Sequence, residues 1–517
     1  LKHRASVVGE GRSKAGGRPA QGGSLAMSQC ARDVAPPFDH ERDEYASQSS
    51  GSQSSDSIIE RRGTSWVDVA WLMLSDVVGT SVLVFAGVAR QLGVALTVVF
   101  IVGLFPPSLF VSVLMVRTRA LTVKAAQLRG QRMPRLGAMG EVAGYLLRTP
   151  RGGSLVYTVV YGYTLLGQAS YLLVLGTSLQ DVARPGLCLY TALALACGVA
   201  VIPVAAIRNL GDSVVLCFAN LLLIVAVVVI ALAKIVGQAD PSAPSAAHAF
   251  APDLTLAAAF GAATNVVYSY SGQWMYFEIM DTMDAPWDFP KAFGVAGPIM
   301  VSIYLSVALV AYCFGAHHDD ILKSVDEGPA LRVASVLLFL HVIVVYLVKS
   351  IVIQRHLHHL TSPRDLDKRS LASYAKHGGW GAAMLVFCYV VANAVPFFSQ
   401  LLGLIGGLCS GPINFLLPIF LFLVASGRCA VAKGEDTADS SDSGADACAS
   451  RPVESSLSAA RRGLSGVGAG DLAFMGAICV FIVLTMVLGV TSVVRQIIEE
   501  QGAQGRPFTC HARDHSG

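Results

Sequence analysis

Charge is scarce in this chain. Only 14% of its 517 residues are Asp, Glu, Lys or Arg, whereas soluble domains carry about a quarter. The net charge is +3, so no electrostatic case exists for binding nucleic acid. The 11 cysteines form no Cys-x-x-Cys pair and no Cys/His ligand set. Those inside apolar runs, Cys188, Cys217, Cys313, Cys388 and Cys479, read as packed free thiols. The histidines of "RHLHHL" (355–360) and the pair His317-His318 lack companion Cys or Asp ligands, so no metal centre is expected. There is no Gly-rich phosphate loop, no HExxH and no GxSxG elbow. An enzyme is therefore not expected, nor a cofactor. Residues 1–62, rich in Gly, Ser, Arg and Asp, have no apolar stretch of signal-peptide length and read as a disordered cytosolic tail. The chain begins with Leu1 rather than Met, which leaves the completeness of the N-terminus open.

Apolar residues are abundant instead. They make up 53% of the chain, and the mean hydropathy is +0.57. An all-α polytopic membrane protein follows. A spanning helix needs about 20 apolar residues, and eleven segments qualify. They lie near 66–89, 92–116, 154–181, 185–206, 211–236, 256–280, 294–316, 330–354, 379–397, 399–426 and 471–494. Lys and Arg cluster after the second span (Arg117, Arg119, Lys124, Arg129, Arg132, Arg135, Arg148, Arg151) and after the eighth (Arg355, Arg364, Lys368, Arg369, Lys376). Both clusters face the cytosol if the N-terminus does. The acidic "HHDDILKSVDEG" (317–328) and the Lys/Arg-free 237–253 then lie outside, as does the C-terminal tail 495–517. Arg90, Lys234 and the C-terminal arginines run against this trend.

The Ser- and Asp-rich stretch 427–470 reads as a disordered cytosolic linker. It separates an eleventh helix, 471–494, from a ten-helix core at 63–426. The core divides into five plus five, about 66–236 and 256–426. An odd number of spans per half inserts the second half upside-down, so an inverted repeat is expected.

The first span of each half is interrupted. Span 1 carries Asp76-Val77-Val78-Gly79-Thr80-Ser81, and span 6 carries Tyr268-Ser269-Tyr270-Ser271-Gly272-Gln273. A single Gly79 or Gly272 is explained by tight helix packing. Interruptions at matching places in both halves point to broken helices. A break frees amides and carbonyls, which lipid tolerates only where they face protein or a wet cavity. Half-helix N-termini attract a carboxylate, and free carbonyls attract an ammonium. A zwitterionic amino acid presents both.

"TNVVYSYSGQWMYFEIMDTM" (264–283) resembles the sixth span of the auxin/amino acid permease family. "VVGTSVLVFAGVARQLG" (77–93) is similar to its first span, "HVIVVYLVKS" (341–350) to its eighth, and "VPFFSQLLGLIGGLCSGPINFLLPIFLFL" (395–423) to its tenth. The likeness covers roughly 65–426, nearest to plant-type lysine/histidine and general amino acid permeases. It implies a proton-coupled amino acid transporter with a five-plus-five fold, in the plasma membrane or a vacuolar or lysosomal one. Ser81 stands where the family has a second Gly, and Phe85-Ala86 where it has Leu-Pro. Val344-Val345 replace small or hydroxyl residues.

The expected substrate-binding residues are Val78, Gly79, Thr80, Ser81, Tyr268, Ser269, Tyr270, Ser271 and Gly272. Ionisable groups at mid-membrane are costly and hence functional candidates. Asp76 either accepts the coupling proton, pairs with the substrate ammonium, or is a wet residue without a role. Glu278 either carries a proton or locks its span. His341 either titrates or packs through hydrogen bonds. Lys349 either snorkels to the inner face or fills a place that sodium takes in related transporters. Val344-Val345 offer no side-chain oxygen for sodium, which favours a proton as coupling ion. The expected partners are an amino acid and the bilayer. The alternative is an amino-acid-sensing membrane receptor without net transport, with 427–470 as a phosphorylated handle.

Overall fold

The structure is a computed structural model that describes residues 64–183, 187–208, 213–239, 247–365, 370–439 and 455–504. The expected tail 1–62, the end of the tail 495–517 and the linker's 440–454 lie outside the described residues.

Apolar runs fold into helices because a helix satisfies its own backbone where no water can. In the first half, α1 is Trp66–Val77 and α2 is Phe85–Leu128, joined through the 3-10 turn Thr80–Val84. α2 holds the end of the first expected span and all of the second. Gly93 turns the chain back between them at φ +77°, a region that glycine enters without strain. The strap 248–251 bonds there to Leu92, Val94 and Ala95, so a Cβ on Gly93 would lie 2.6 Å from Phe250 Cα. Next come α3 (Met139–Leu147), α4 (Pro150–Val182), α5 (Leu189–Ala206) and α6 (Ser213–Gln238).

The second half has α7 (Leu256–Ser269), the 3-10 turn Gln273–Met275, α8 (Tyr276–Thr282), α9 (Phe289–Cys313), α10 (Pro329–Thr361) and α11 (Leu371–Ala394). Its last member is one rod: α12 (Phe398–Ile405), the π turns Gly406–Ser410 and Pro412–Leu416, and α13 (Leu417–Asp439). Beyond it stand α14 (Ser456–Gly466), α15 (Ala469–Leu484) and, after the π turn Thr485–Gly489, α16 (Val490–Gln504).

Eight of these helices are long and apolar enough to cross a bilayer, counted among the described residues. The count falls below eleven because the first expected span is merged with the second, the sixth is divided, and α11, over the ninth, is not among the eight. Two ends of the bundle are set by cross-contacts. At one end Thr64 N donates to Thr282 O (2.9 Å), Ser456 Oγ to Leu147 O (3.5 Å), and Arg117 pairs with Asp471 (3.6 Å). At the other, Arg90 pairs with Asp319, and Gln400 Nε2 donates to Glu500 Oε1. Val99, Leu195, Ile202, Val229, Val386 and Val480 face outward, as lipid contact requires.

The expected linker 427–470 is helical at both ends, in α13 and α14. The two helices touch through glycines: a Cβ on Gly427 would sit 1.9 Å from Ala459 O, and one on Gly463 2.1 Å from Leu423 O. Cys217, Cys313, Cys388 and Cys479 are free thiols. Cys188 is not; it is disulfide-bonded. It precedes α5 rather than lying within it, and a thiol at a helix end reaches a partner that one inside an apolar run does not.

Candidate functional site

Both expected interruptions are breaks in the helix. α1 stops at Val77, because Val78 (ψ 67°) and Gly79 (φ −109°, ψ −148°) leave helical geometry. α7 stops at Ser269, and Tyr270–Gly272 bridge to the turn at Gln273. The carbonyls at the two stops point at one group. The Tyr304 hydroxyl on α9 lies 2.8 Å from Val77 O and 3.0 Å from Ser269 O, sharing its proton between them. Tyr304 is wholly buried and stacks on Phe85 (4.4 Å between ring centres). The far side of the α7 break is held by the rod. Asn414 Oδ1 accepts from Trp274 N (2.9 Å), and Asn414 Nδ2 donates to Ser410 O (3.0 Å). Gly406 lets that rod in, since a Cβ there would lie 2.1 Å from Thr264 O.

Between the breaks lies a cavity of about 30 Å³. Asp76, Val77, Gly79, Thr80 and Ser81 line it from the first break, and Tyr268, Ser269 and Ser271 from the second. α4 adds Tyr163 and Tyr171, and α10 adds Lys349. Gly167 on α4 permits this approach; a Cβ would stand 3.3 Å from the Tyr268 hydroxyl. Thr80 Oγ1 is buried without a hydrogen-bond partner among the described residues.

The charges of the site are a pair. Lys349 Nζ is 3.1 Å from Asp76 Oδ1, with the two side chains 10% and 15% exposed. Nζ also donates to the Tyr171 hydroxyl at 2.8 Å and sits 5.1 Å from the centre of that ring. The expectation that Lys349 snorkels to the inner face is therefore corrected. Its stem turns inward because a carboxylate and a phenol stand across from it. A sequence signal existed: His341, Val345 and Lys349 are four apart and share one buried helix stripe.

Of the residues expected at the site, the fold brings Asp76, Gly79, Thr80, Ser81, Tyr268, Ser269 and Ser271 together. Val78 is buried but off the wall. Tyr270 points away, donating to Ile101 O at 2.5 Å. Gly272 packs on Tyr276 and Val77. His341 lies behind Gly79, with Nδ1 3.0 Å from Asn220 O. Glu278 is set apart, within electrostatic reach of Glu141, Tyr157 and Tyr161, and its Oε2 has no partner among the described residues. Sequence reasoning missed Val77, Tyr163 and Tyr171, which carry no local mark distinguishing them from other apolar or aromatic positions of a buried helix.

Over residues 62–431 the chain matches the family described as "Transmembrane amino acid transporter protein". It is 27% identical over 186 residues to the "N amino acid transport system protein" of Neurospora crassa, covering 35% of this chain and 40% of that one. It is 30% identical over 176 residues to a "Transmembrane transporter" of Gibberella moniliformis, covering 31% and 35%. It is 28% identical over 181 residues to "Lysine histidine transporter-like 6" of Arabidopsis thaliana, covering 32% and 39%. These matches span at most 40% of the relatives' own lengths. The family match takes in both breaks, the cavity between them and most of the chain, and by it the chain belongs to the transmembrane amino acid transporter family.

Proposed function

We propose that this protein is a secondary transporter that moves an amino acid across a membrane together with a proton, by alternating access. The observation that carries the reading is the polar cavity at the meeting of two broken helices in an otherwise apolar bundle. The names of the Neurospora and Arabidopsis relatives support amino acids as cargo.

The cavity's size supports movement. About 30 Å³ is the room of one water molecule, not of an amino acid. The walls must part for a substrate to enter. They belong to α1 and the α7 break on one side and to α4 and α10 on the other, which suits rocking of one group against the other. The substrate's carboxylate and amine would meet the chain at Gly79–Ser81 and at Ser269 and Ser271. Asp76 is the leading group for proton coupling, because protonating it would release the Lys349 ion pair that ties α1 to α10. Three placements belong to this reading: the five-plus-five inverted repeat, a cytosolic N-terminus, and a non-cytosolic Arg90–Asp319 end. The disulfide of Cys188, before α5 at that end, supports the last, since disulfides persist in oxidising compartments.

The test is uptake into proteoliposomes from a panel of radiolabelled amino acids, under an imposed inward proton gradient. Accumulation that falls when a protonophore dissipates the gradient is expected. Uptake unchanged by the protonophore removes the coupling. Binding without any flux would favour the receptor alternative.

A further inference from the structure

The cavity carries two full charges, and they cancel. We propose that Lys349 is a specificity-determining residue that makes the site select substrates of zero net charge: amino acids with uncharged side chains rather than cationic or anionic ones. This rests on the reading of the cavity as an amino acid site.

None of the other lining residues carries a charge: they are Val77 and Gly79, four hydroxyl residues and three tyrosines. Tyr163 and Tyr171 on α4, and Tyr268 on α7, are phenols, uncharged at neutral pH. On α10, His341 gives Nδ1 to the Asn220 carbonyl and leaves Nε2 behind Gly79. In the neutral ring that nitrogen is an acceptor and adds no charge. Glu278 lies with Glu141, Tyr157 and Tyr161 and does not line the cavity. With Asp76 ionised, before any coupling proton is bound, the charge facing the cavity is therefore Asp76 against Lys349.

A zwitterion fits that balance. Lys349 has three N–H donors, of which one meets Asp76 and one the Tyr171 hydroxyl. The third is available to a substrate carboxylate, and the carboxylate of Asp76 to a substrate ammonium. The four charges then alternate and sum to zero. A lysine or arginine would bring a third cation with no anion to meet it, and a glutamate or aspartate a third anion. A third charge faces a pair of zero net charge, so nothing in the cavity offsets its lost hydration, a loss worth roughly 100-fold in affinity or more.

The experiment measures binding of radiolabelled alanine, lysine and glutamate to the purified full chain, and uptake of the same three in proteoliposomes. In the wild type, alanine is expected to bind at least tenfold better than either charged amino acid. Lys349→Gln leaves Asp76 unmatched, and the lysine-to-alanine ratio should rise at least tenfold. Asp76→Asn leaves Lys349 unmatched, and the glutamate-to-alanine ratio should rise instead. The double variant Asp76→Asn/Lys349→Gln is neutral again and should prefer alanine. Should the single variants fail to fold, competition on the wild type decides alone. Lysine displacing alanine at equal concentration overturns the proposal, as do ratios unmoved by the single variants. Selective alanine binding without uptake would sink the transport reading and leave the selection rule standing. Equal uptake of all three would do the reverse.

Discussion

Removing one oxygen atom should loosen both broken helices. Tyr304→Phe deletes the hydroxyl that Val77 O and Ser269 O share, at 2.8 and 3.0 Å. The ring stays, so its stacking on Phe85 and its burial are kept. Both carbonyls end a helix at a break, and neither has an amide one turn on to accept from in regular helical geometry. A buried acceptor left unsatisfied costs about 1–3 kcal/mol. Two acceptors sharing one proton place the loss near ~2–4 kcal/mol. Tyr270→Phe is the matched control. Its hydroxyl is also buried and donates to a carbonyl, but Ile101 O lies inside α2, where a helix amide serves it as well. That variant should lose only about 0.5–1.5 kcal/mol. Equilibrium unfolding in detergent micelles measures both, and uptake under the proton gradient should fall further for Tyr304→Phe. A shift below about 0.5 kcal/mol for Tyr304→Phe, or one no larger than for Tyr270→Phe, would refute the claim that this hydroxyl ties the two breaks together.

Two further outcomes follow from the packing and from the loop 317–328. Gly406→Ala should destabilise by about 1–3 kcal/mol, because its Cβ would meet Thr264 O at 2.1 Å and only a backbone shift relieves that. Gly103→Ala, with nothing within 4 Å, should be neutral or stabilising in the same unfolding assay. In the loop 317–328, burial pushes the Asp320 carboxyl up to about 6 from its ordinary 3.8, aided by Asp181 and Asp319 and opposed by Lys323. A raised value means that the folded loop binds the proton more tightly than the open loop. The stabilisation is complete below the ordinary value and is lost as pH rises through about 6. Amide exchange across 317–328, corrected for intrinsic rate, should therefore be faster at pH 7.5 than at pH 5. Asp320→Asn, which can still cap Leu322 N, should abolish the difference.

Much of the architecture is legible in the order of residues alone. Apolar runs dictate helices because lipid leaves the backbone no other partner. Glycine with small polar residues at 79–81 and 269–272 marks where those helices open, since short polar side chains can serve the backbone groups that a break frees. The site is legible only in its local half. Asp76 and the two breaks announce themselves by being wrong for an apolar helix. Tyr163 and Tyr171 do not, because an aromatic on a buried stripe looks the same whether it packs or lines a cavity. Span counting goes astray where one glycine reverses the chain inside α2, and the helix Ser456–Gly466 is hidden in a polar stretch whose burial depends on Gly427 across from it.

The sequence by itself determined that the chain is a bundle of membrane helices with two of them interrupted, since hydropathy and glycine placement act within about one turn of chain. Only the tertiary structure decided where Lys349 points. Its stem is long enough to reach either the membrane surface or the interior, and the choice was made by Asp76 and Tyr171, 273 and 178 residues away along the chain.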